Sequence, residues 1–316
     1  MCLILLHRLG HGQPAATIHR VGWLSIGSEG TVANLSAPLK QGMAELGWLE
    51  GKNVEYRIAY PNNDSSRLDA LARELVEQKV EVILVGNGQS AFAAQRATKT
   101  IPIVMAGLAN AMGTGLVVSL AKPMGNITGL TSQQDEVVGK VIGILHEVVP
   151  GARRVAILLN ERNPPHAAFW AVAKNACAAL NLVAQRVVAN TPAQLSAAVE
   201  QIVRQQSQAV IVTSDAMYFT ERAKLQELMQ ATRLPVAYQI RDHVLAGGLL
   251  SYGYDAAANY HDAARYIDKI LKGARPADLP VEQTTKFELV INLKTAKGLG
   301  ITISKDMLLR ADQVIQ

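Results

Sequence analysis

Residues 80–107 read "VEVILVGNGQSAFAAQRATKTIPIVMAG". An apolar, β-branched run (80–86) meets a glycine turn, an alanine-rich helical stretch follows, and a second apolar run (101–107) closes the unit. Strand, helix, strand in that order is one βαβ unit of a parallel sheet.

The same grammar extends in both directions. "HRVGWLSIG" (19–27) and "NVEYRIAY" (53–60) precede it, each followed by a helical pattern. Leu68, Leu71, Leu75 and Val76 mark an apolar helix face, with Asp64 or Ser65 as N-cap, and Pro38 is expected in the first turn of the preceding helix. After "GNITGLT" (125–131) and a helix ending at "HEVVPG" (146–151), the alternation restarts with "RRVAILLN" (153–160), "LVAQRVVA" (182–189), "QAVIVTSD" (208–215) and "RLPVAYQ" (233–239). Two similar half-chains in tandem predict an α/β protein of two Rossmann-like parallel-sheet lobes. "GGLLSYGYD" (247–255), "YHDAARYIDKILKG" (260–273) and "TTKFELVINLKTAKGLGITI" (284–303) add a strand, an amphipathic helix and a last strand with its helix.

Composition agrees with two lobes. The chain has 316 residues, 49% hydrophobic and 18% charged, enough apolar side chains for two cores. The net charge of +5 comes from Lys and Arg spread along the chain beside Asp and Glu, with no basic run interleaved with aromatics, so nucleic acid is not an expected partner. Cys2 and Cys177 are the only cysteines, and His11, His19, His146, His166, His243 and His261 show no ligand spacing, so no metal site is expected. Residues 1–17 carry a short apolar patch and read as a signal remnant or a disordered segment.

Gly86, Gly88 and Ala91 match a dinucleotide fingerprint, but that motif needs the first strand of its unit and an acidic residue at the tip of the next strand. Here the turn follows the third strand, and the next ends in Met105, Ala106 and Gly107. No cofactor is therefore expected. What survives is a helix N-terminus beginning at Gly88, Gln89 and Ser90, a ready anion site. Ser90 is either a hydroxyl donor to a ligand carboxylate or the cap of its own helix. Asp215, the main acidic side chain at a strand tip, is either an N-cap or the counter-ion of a ligand ammonium. Across a cleft the two would clamp a zwitterion. No nucleophile elbow or P-loop is present and paired carboxylates are not evident at the strand ends, so a lone Asp215 suits binding better than hydrolysis.

The assembled stretches "VGWLSIGS" (21–28), "GMAELGWLEGKNVEYRIAY" (42–60), "RATKTIPIVMAG" (96–107), "GTGLVVSLAKPMGNITGLT" (113–131), "GGLLSYG" (247–253), "YIDKILKGARPADLPVEQTTKFELVINLKTAKGLGITI" (266–303) and "LLRADQVIQ" (308–316) resemble the ABC-transporter substrate-binding proteins of the tryptophan/tyrosine-type uptake group. The resemblance implies a type I periplasmic-binding-protein fold, with three hinge crossings near 126–131, 248–252 and 279–283. The first lobe would hold 18–128 plus 250–281, the second 129–249 plus 282–316. It implies an extracytoplasmic, periplasmic receptor that closes on a small zwitterionic or carboxylate ligand, an amino acid or aromatic acid, and delivers it to a membrane permease. By position, Ser28, Ser90 and Thr131 would supply hydroxyls, Asp215 the amine partner, and Asn160 and Tyr252 lining groups, beside Gly88, Gln89, Gly107 and Tyr238 at the strand ends. Tyr218, Phe219, Phe92, Tyr238 and Tyr252 are candidates for stacking on an aromatic side chain, and Gly129, Gly247 and Gly248 for hinge positions. Arg162 is either a second carboxylate partner or a solvated loop residue. A ligand-sensing domain of a signalling system is the alternative with the same fold, and an NAD-type Rossmann enzyme a more distant one.

Overall fold

The structure, a computed structural model, describes residues 17–27, 29–62, 64–132, 134–163 and 165–316. The expectation for the first residues therefore lies, up to residue 16, outside the described part, as does Ser28.

The strands are β1 (His19–Leu24), β2 (Val54–Ala59), β3 (Val82–Val85), β4 (Ile103–Ala109), β5 (Ile127–Ser132), β6 (Arg154–Leu159), β7 (Val183–Val188), β8 (Ala209–Val212), β9 (Val236–Tyr238), β10 (Leu250–Tyr254), β11 (Glu282–Gln283), β12 (Phe287–Asn292) and β13 (Gln313–Ile315). They form two sheets, in the orders β11-β5-β4-β3-β1-β2 and β13-β12-β10-β9-β8-β6-β7. Every pairing is parallel except β10 with β12. The central strands are buried on both faces, which is why they read as continuous apolar runs such as Val82–Val85 and Ala209–Val212.

Helices cover both faces of each sheet. In the first lobe, α1 (Glu29–Glu45) and α10 (Ala256–Leu271) pack one face, and α2 (Leu68–Glu77) with α3 (Gly88–Ala97) the other. In the second, α4 (Gln134–Val148), α5 (Pro165–Ala179), α11 (Leu293–Gly298) and α12 (Lys305–Arg310) lie opposite α6 (Leu195–Arg204), α7 (Ala216–Thr220), α8 (Arg222–Thr232) and α9 (Arg241–Leu245). Pro38 falls inside α1 rather than in its first turn, because the helix begins earlier, at Glu29.

The chain passes between sheets after Ser132, after Tyr254 and after Gln283. The first two crossings lie a little beyond the expected places, since each strand completes its pairing before leaving its sheet, and the third falls at the end of its expected range. The segment 250–254, expected in the first lobe, pairs with β9 and β12 of the second, while 129–132 and 282–283 pair in the first. Two of the glycines expected at hinges stand in close packing. A Cβ on Gly129 would stand 2.4 Å from the Met105 carbonyl of the neighbouring strand, and one on Gly248 would stand 2.6 Å from the Tyr238 ring.

Both sheets have the strand order 2-1-3-4-5 in their own halves. The order reverses beside β1 and β3 in one lobe and beside β6 and β8 in the other. Ligands of open parallel sheets bind outside the carboxyl ends of the strands at that reversal. The loops at the two reversals face one cleft.

Candidate functional site

The cleft encloses about 460 Å³ and is walled by both lobes. From the first come the turns after β1 (Ser25, Ile26) and β3 (Gly86–Gln89), with Gly107 and Phe92. From the second come Asn163, Phe169, Ser214, Asp215, Phe219, Ile240–Asp242 and Tyr254. Most of the wall is apolar, with a few convergent polar groups, as small-molecule sites require.

Two glycines on the first lobe's wall have identifiable tasks. Gly107 takes φ +83° at a bulge in β4, and a Cβ there would strike the Asn259 amide at 2.2 Å. Gly86 makes room for the Tyr260 hydroxyl, 2.0 Å from where its Cβ would sit. The next residue, Asn87, caps α3 by accepting the Ser90 N–H (2.9 Å). The N–H groups of Gly88 and Gln89 precede the first intrahelical bond and lie on the cleft wall, at the positive end of a ten-residue helix.

The second lobe presents Asp215. Its carboxylate is 4% exposed and caps α7, accepting the N–H groups of Met217 (2.9 Å) and Tyr218 (3.4 Å). It also accepts the amide of Asn160 (3.2 Å to each oxygen) and that of Asn163 (2.9 Å). The Arg162 N–H holds the Asn160 amide oxygen (3.0 Å), so the amide nitrogen must face Asp215. All these donors are neutral. The single ion-pair geometry Asp215 makes among the described residues is with His166, at 3.9 Å, and burial holds that imidazole neutral against the pull of the carboxylate. A buried carboxylate with several hydrogen bonds and no counter-cation is an oriented receptor for a cation.

Arg241 and Asp242 also stand on the wall. Arg241 gives one guanidinium nitrogen to Glu288 (2.9 Å) and another to Gln313 (2.6 Å). Burial pushes Glu288 up to about 7 even so. Burial likewise raises Asp242, against the fields of Arg222 and Arg241.

Of the residues singled out from sequence, Gly88, Gln89, Gly107 and Asp215 line the cleft, and Asn160 stands directly behind Asp215. Four others are placed differently. Ser90 is fully buried, its hydroxyl donating to the Ser25 carbonyl (3.2 Å), so it fastens α3 to the β1 turn instead of meeting ligand. The Thr131 hydroxyl donates to the Leu108 carbonyl (2.8 Å) and accepts the Ala111 N–H (3.1 Å), pinning the bulge at Gly107. Tyr238 stacks on His243 and donates to Gln226 (2.8 Å) inside the core. Tyr252 stacks on Phe287 beside Lys140, away from the cleft. Tyr218 is also internal, donating to the Ala189 carbonyl. Phe92 and Phe219 do line the cleft, and Arg162 does not.

Sequence reasoning did not single out Trp23, Phe169, Asp242 or Tyr254 on the wall, nor His166 behind it. Tyr254 had a usable signal: it shares a strand face with Tyr252 and sits two residues nearer the carboxyl end, where ligands lie.

Comparison with known proteins now bears on this geometry. Residues 28–315 match the family of ABC transporter substrate binding proteins, and the chain belongs to that family. It is 22% identical, over 259 residues, to a tyrosine-binding protein of Clostridioides difficile (strain R20291), covering 82% of this chain and 74% of that one. Among solved structures, a Streptococcus pneumonia protein in complex with L-Trp superposes with a TM-score of 0.88 at 23% identity, covering 95% of this chain and 100% of that one. The ligand-free, open structure of an adhesive substrate-binding protein from Clostridium difficile superposes at 0.69, with 19% identity, 94% of this chain and 99% of that one. The fold is that of type I periplasmic binding proteins.

Proposed function

We propose that the protein is the extracytoplasmic, periplasmic receptor of an ABC importer and captures an amino acid with an apolar, aromatic side chain between its lobes. The observation that carries this reading is Asp215, a buried carboxylate surrounded by neutral donors on the cleft wall. Its partner is the α-ammonium of the ligand. The ligand carboxylate goes to the first lobe, at the N–H groups of Gly88 and Gln89 with the polar groups of Ser25 and Asn87 beside them. The side chain rests among Trp23, Phe92, Phe169 and Phe219, whose rings bring area and edge-to-face contacts.

A divided clamp also supplies the reason to close. A ligand shifts the open–closed equilibrium only by its differential affinity for the two forms, and only the closed form lets both lobes touch it. Support comes from a relative described as tyrosine-binding and from a neighbour holding L-Trp. The better superposition on that complex than on the open protein is in keeping with lobes drawn together here. The closed protein then meets the membrane permease, and the work done on the ligand is binding and handing over.

The test is a thermal-shift screen of the proteinogenic amino acids and small aromatic acids, followed by calorimetry. A ligand at 100 times its Kd adds roughly 2.7 kcal/mol to stability. Tryptophan or tyrosine should raise the melting temperature well above the effect of aspartate, lysine or a nucleotide. A tight nucleotide, or no response to any amino acid, would refute the proposal.

A further inference from the structure

One side chain joins the turn after β6 to the turn after β8. His166, in the first turn of α5 and 2% exposed, accepts the Asn160 N–H at Nδ1 (2.8 Å) and meets the Ser214 carbonyl with Nε2 (3.0 Å). An amide N–H only donates and a carbonyl oxygen only accepts, so the ring is the neutral tautomer with its proton on Nε2. The Thr213 hydroxyl, 3.4 Å from Nδ1, gives its proton to the Leu158 carbonyl (2.7 Å), and the Asn163 amide nitrogen, 3.2 Å from Nε2, gives a proton to Asp215 (2.9 Å), so neither is a partner that changes this assignment. The ring stacks on Phe169 of the cleft wall.

We propose that His166 is the positioning residue of the amine subsite and its acid-sensitive element. Neutral, it holds the turn bearing Asn160 and Asn163 against the turn bearing Asp215; protonated, it becomes the cation beside Asp215 and displaces the ligand's ammonium. The inference rests on the reading that Asp215 receives that ammonium.

Protonation changes two contacts together. Nδ1 becomes a donor facing the Asn160 N–H, so the bridge to that turn is lost and a buried N–H is stranded. The imidazolium also stands 3.9 Å from Asp215, close enough to neutralise it. The ionisable groups facing the ring are Asp215 from the β8–α7 turn and Tyr218 from α7. Its own turn carries Glu161, which is paired with Arg186, and Arg162, whose N–H bonds Asn160. Burial opposes charging of the ring more strongly than Asp215 favours it, so the proton arrives only below the ordinary value of 6.5. A bound ammonium pushes that point lower. Affinity for an ammonium-bearing ligand is then constant above pH 6.5 and falls with acid, by at most about tenfold per pH unit for one proton.

Calorimetric Kd values for L-tryptophan from pH 8 to pH 5, on the wild type and on His166→Gln, test this. Glutamine can accept from Asn160 and donate to Ser214 but does not titrate. The wild type should weaken as the pH falls below 6.5 while the variant stays nearly level. An equally steep decline in the variant overturns the inference. A second measurement needs no substitution: nitrogen NMR of the intact protein should find the His166 proton on Nε2 and a titration below 6.5 that moves lower when tryptophan is added. A proton on Nδ1, or a titration indifferent to tryptophan, also overturns it. Failure of every amino acid to bind the wild type overturns the function reading and this inference with it, whereas pH-independent tryptophan binding overturns this inference alone.

Discussion

Substituting Asp215→Asn removes the charge that the proposed clamp depends on. Asparagine is as good an N-cap as aspartate, so α7 keeps its first turn, which Ala would lose at a cost of about 1 kcal/mol. What goes is the negative charge opposite the ligand's ammonium. A hydrogen bond to a charged group is worth about 1.5–3 kcal/mol. The upper part of that range applies, because the carboxylate is 4% exposed and its other donors, Asn160, Asn163, Met217 and Tyr218, are neutral. A loss of about 2–3 kcal/mol is roughly 30- to 150-fold in affinity for L-tryptophan. The deaminated analogue, indole-3-propionic acid, keeps ring and carboxylate and should change by less than about threefold, since no charged partner is removed for it. Isothermal titration of both compounds on both proteins gives the comparison. Equal losses for the two compounds would refute the amine assignment, whatever their size.

Phe219→Ala should weaken tryptophan by about 0.5–1.5 kcal/mol beyond any effect on alanine binding, by calorimetry, because the ring lines the cleft without belonging to the buried core. His243 is buried beside Arg222, and burial above all pushes it down to about 3 from an ordinary 6.5. The unfolded chain therefore binds this proton first, and stability is lost as pH falls through that window by about 1.4 kcal/mol per unit. Urea melts of His243→Phe at pH 6.5 and pH 5 should accordingly show about 2 kcal/mol less acid destabilisation than the wild type; equal slopes would contradict it. Gly129→Ala should lower stability by about 2 kcal/mol or more, read as a drop in melting temperature, since φ +123° is strained for alanine and its Cβ would press on Met105.

The sheets were legible because buried parallel strands write themselves as apolar runs and their helices as 3.6-residue patterns. The strand-end rule carried as far as Asp215, Gly88, Gln89 and Gly107. It stopped at choices that sequence leaves degenerate. Ser90 and Thr131 have hydroxyls in the right neighbourhood, but whether a hydroxyl meets ligand or a backbone carbonyl depends on distances of an ångström set by tertiary packing. For Asp215 the two alternatives weighed from sequence, cap or counter-ion, are compatible in the structure, because the N-terminal turn of α7 opens onto the cleft. His166 carried no ligand spacing and so gave no signal; its bond to Asn160 spans six residues, while its bond to Ser214 spans forty-eight. Tyr252 was taken from the resemblance by position, whereas Tyr254, two residues further along the same strand, is the one that lines the cleft.

The most direct test is a crystal structure with L-tryptophan bound. The ammonium should lie within about 3.2 Å of the Asp215 carboxylate, the ligand carboxylate at the N–H groups of Gly88 and Gln89, and the indole between the two lobes. A ligand turned end for end, or one held by a single lobe with Asp215 left facing solvent, would contradict the divided clamp.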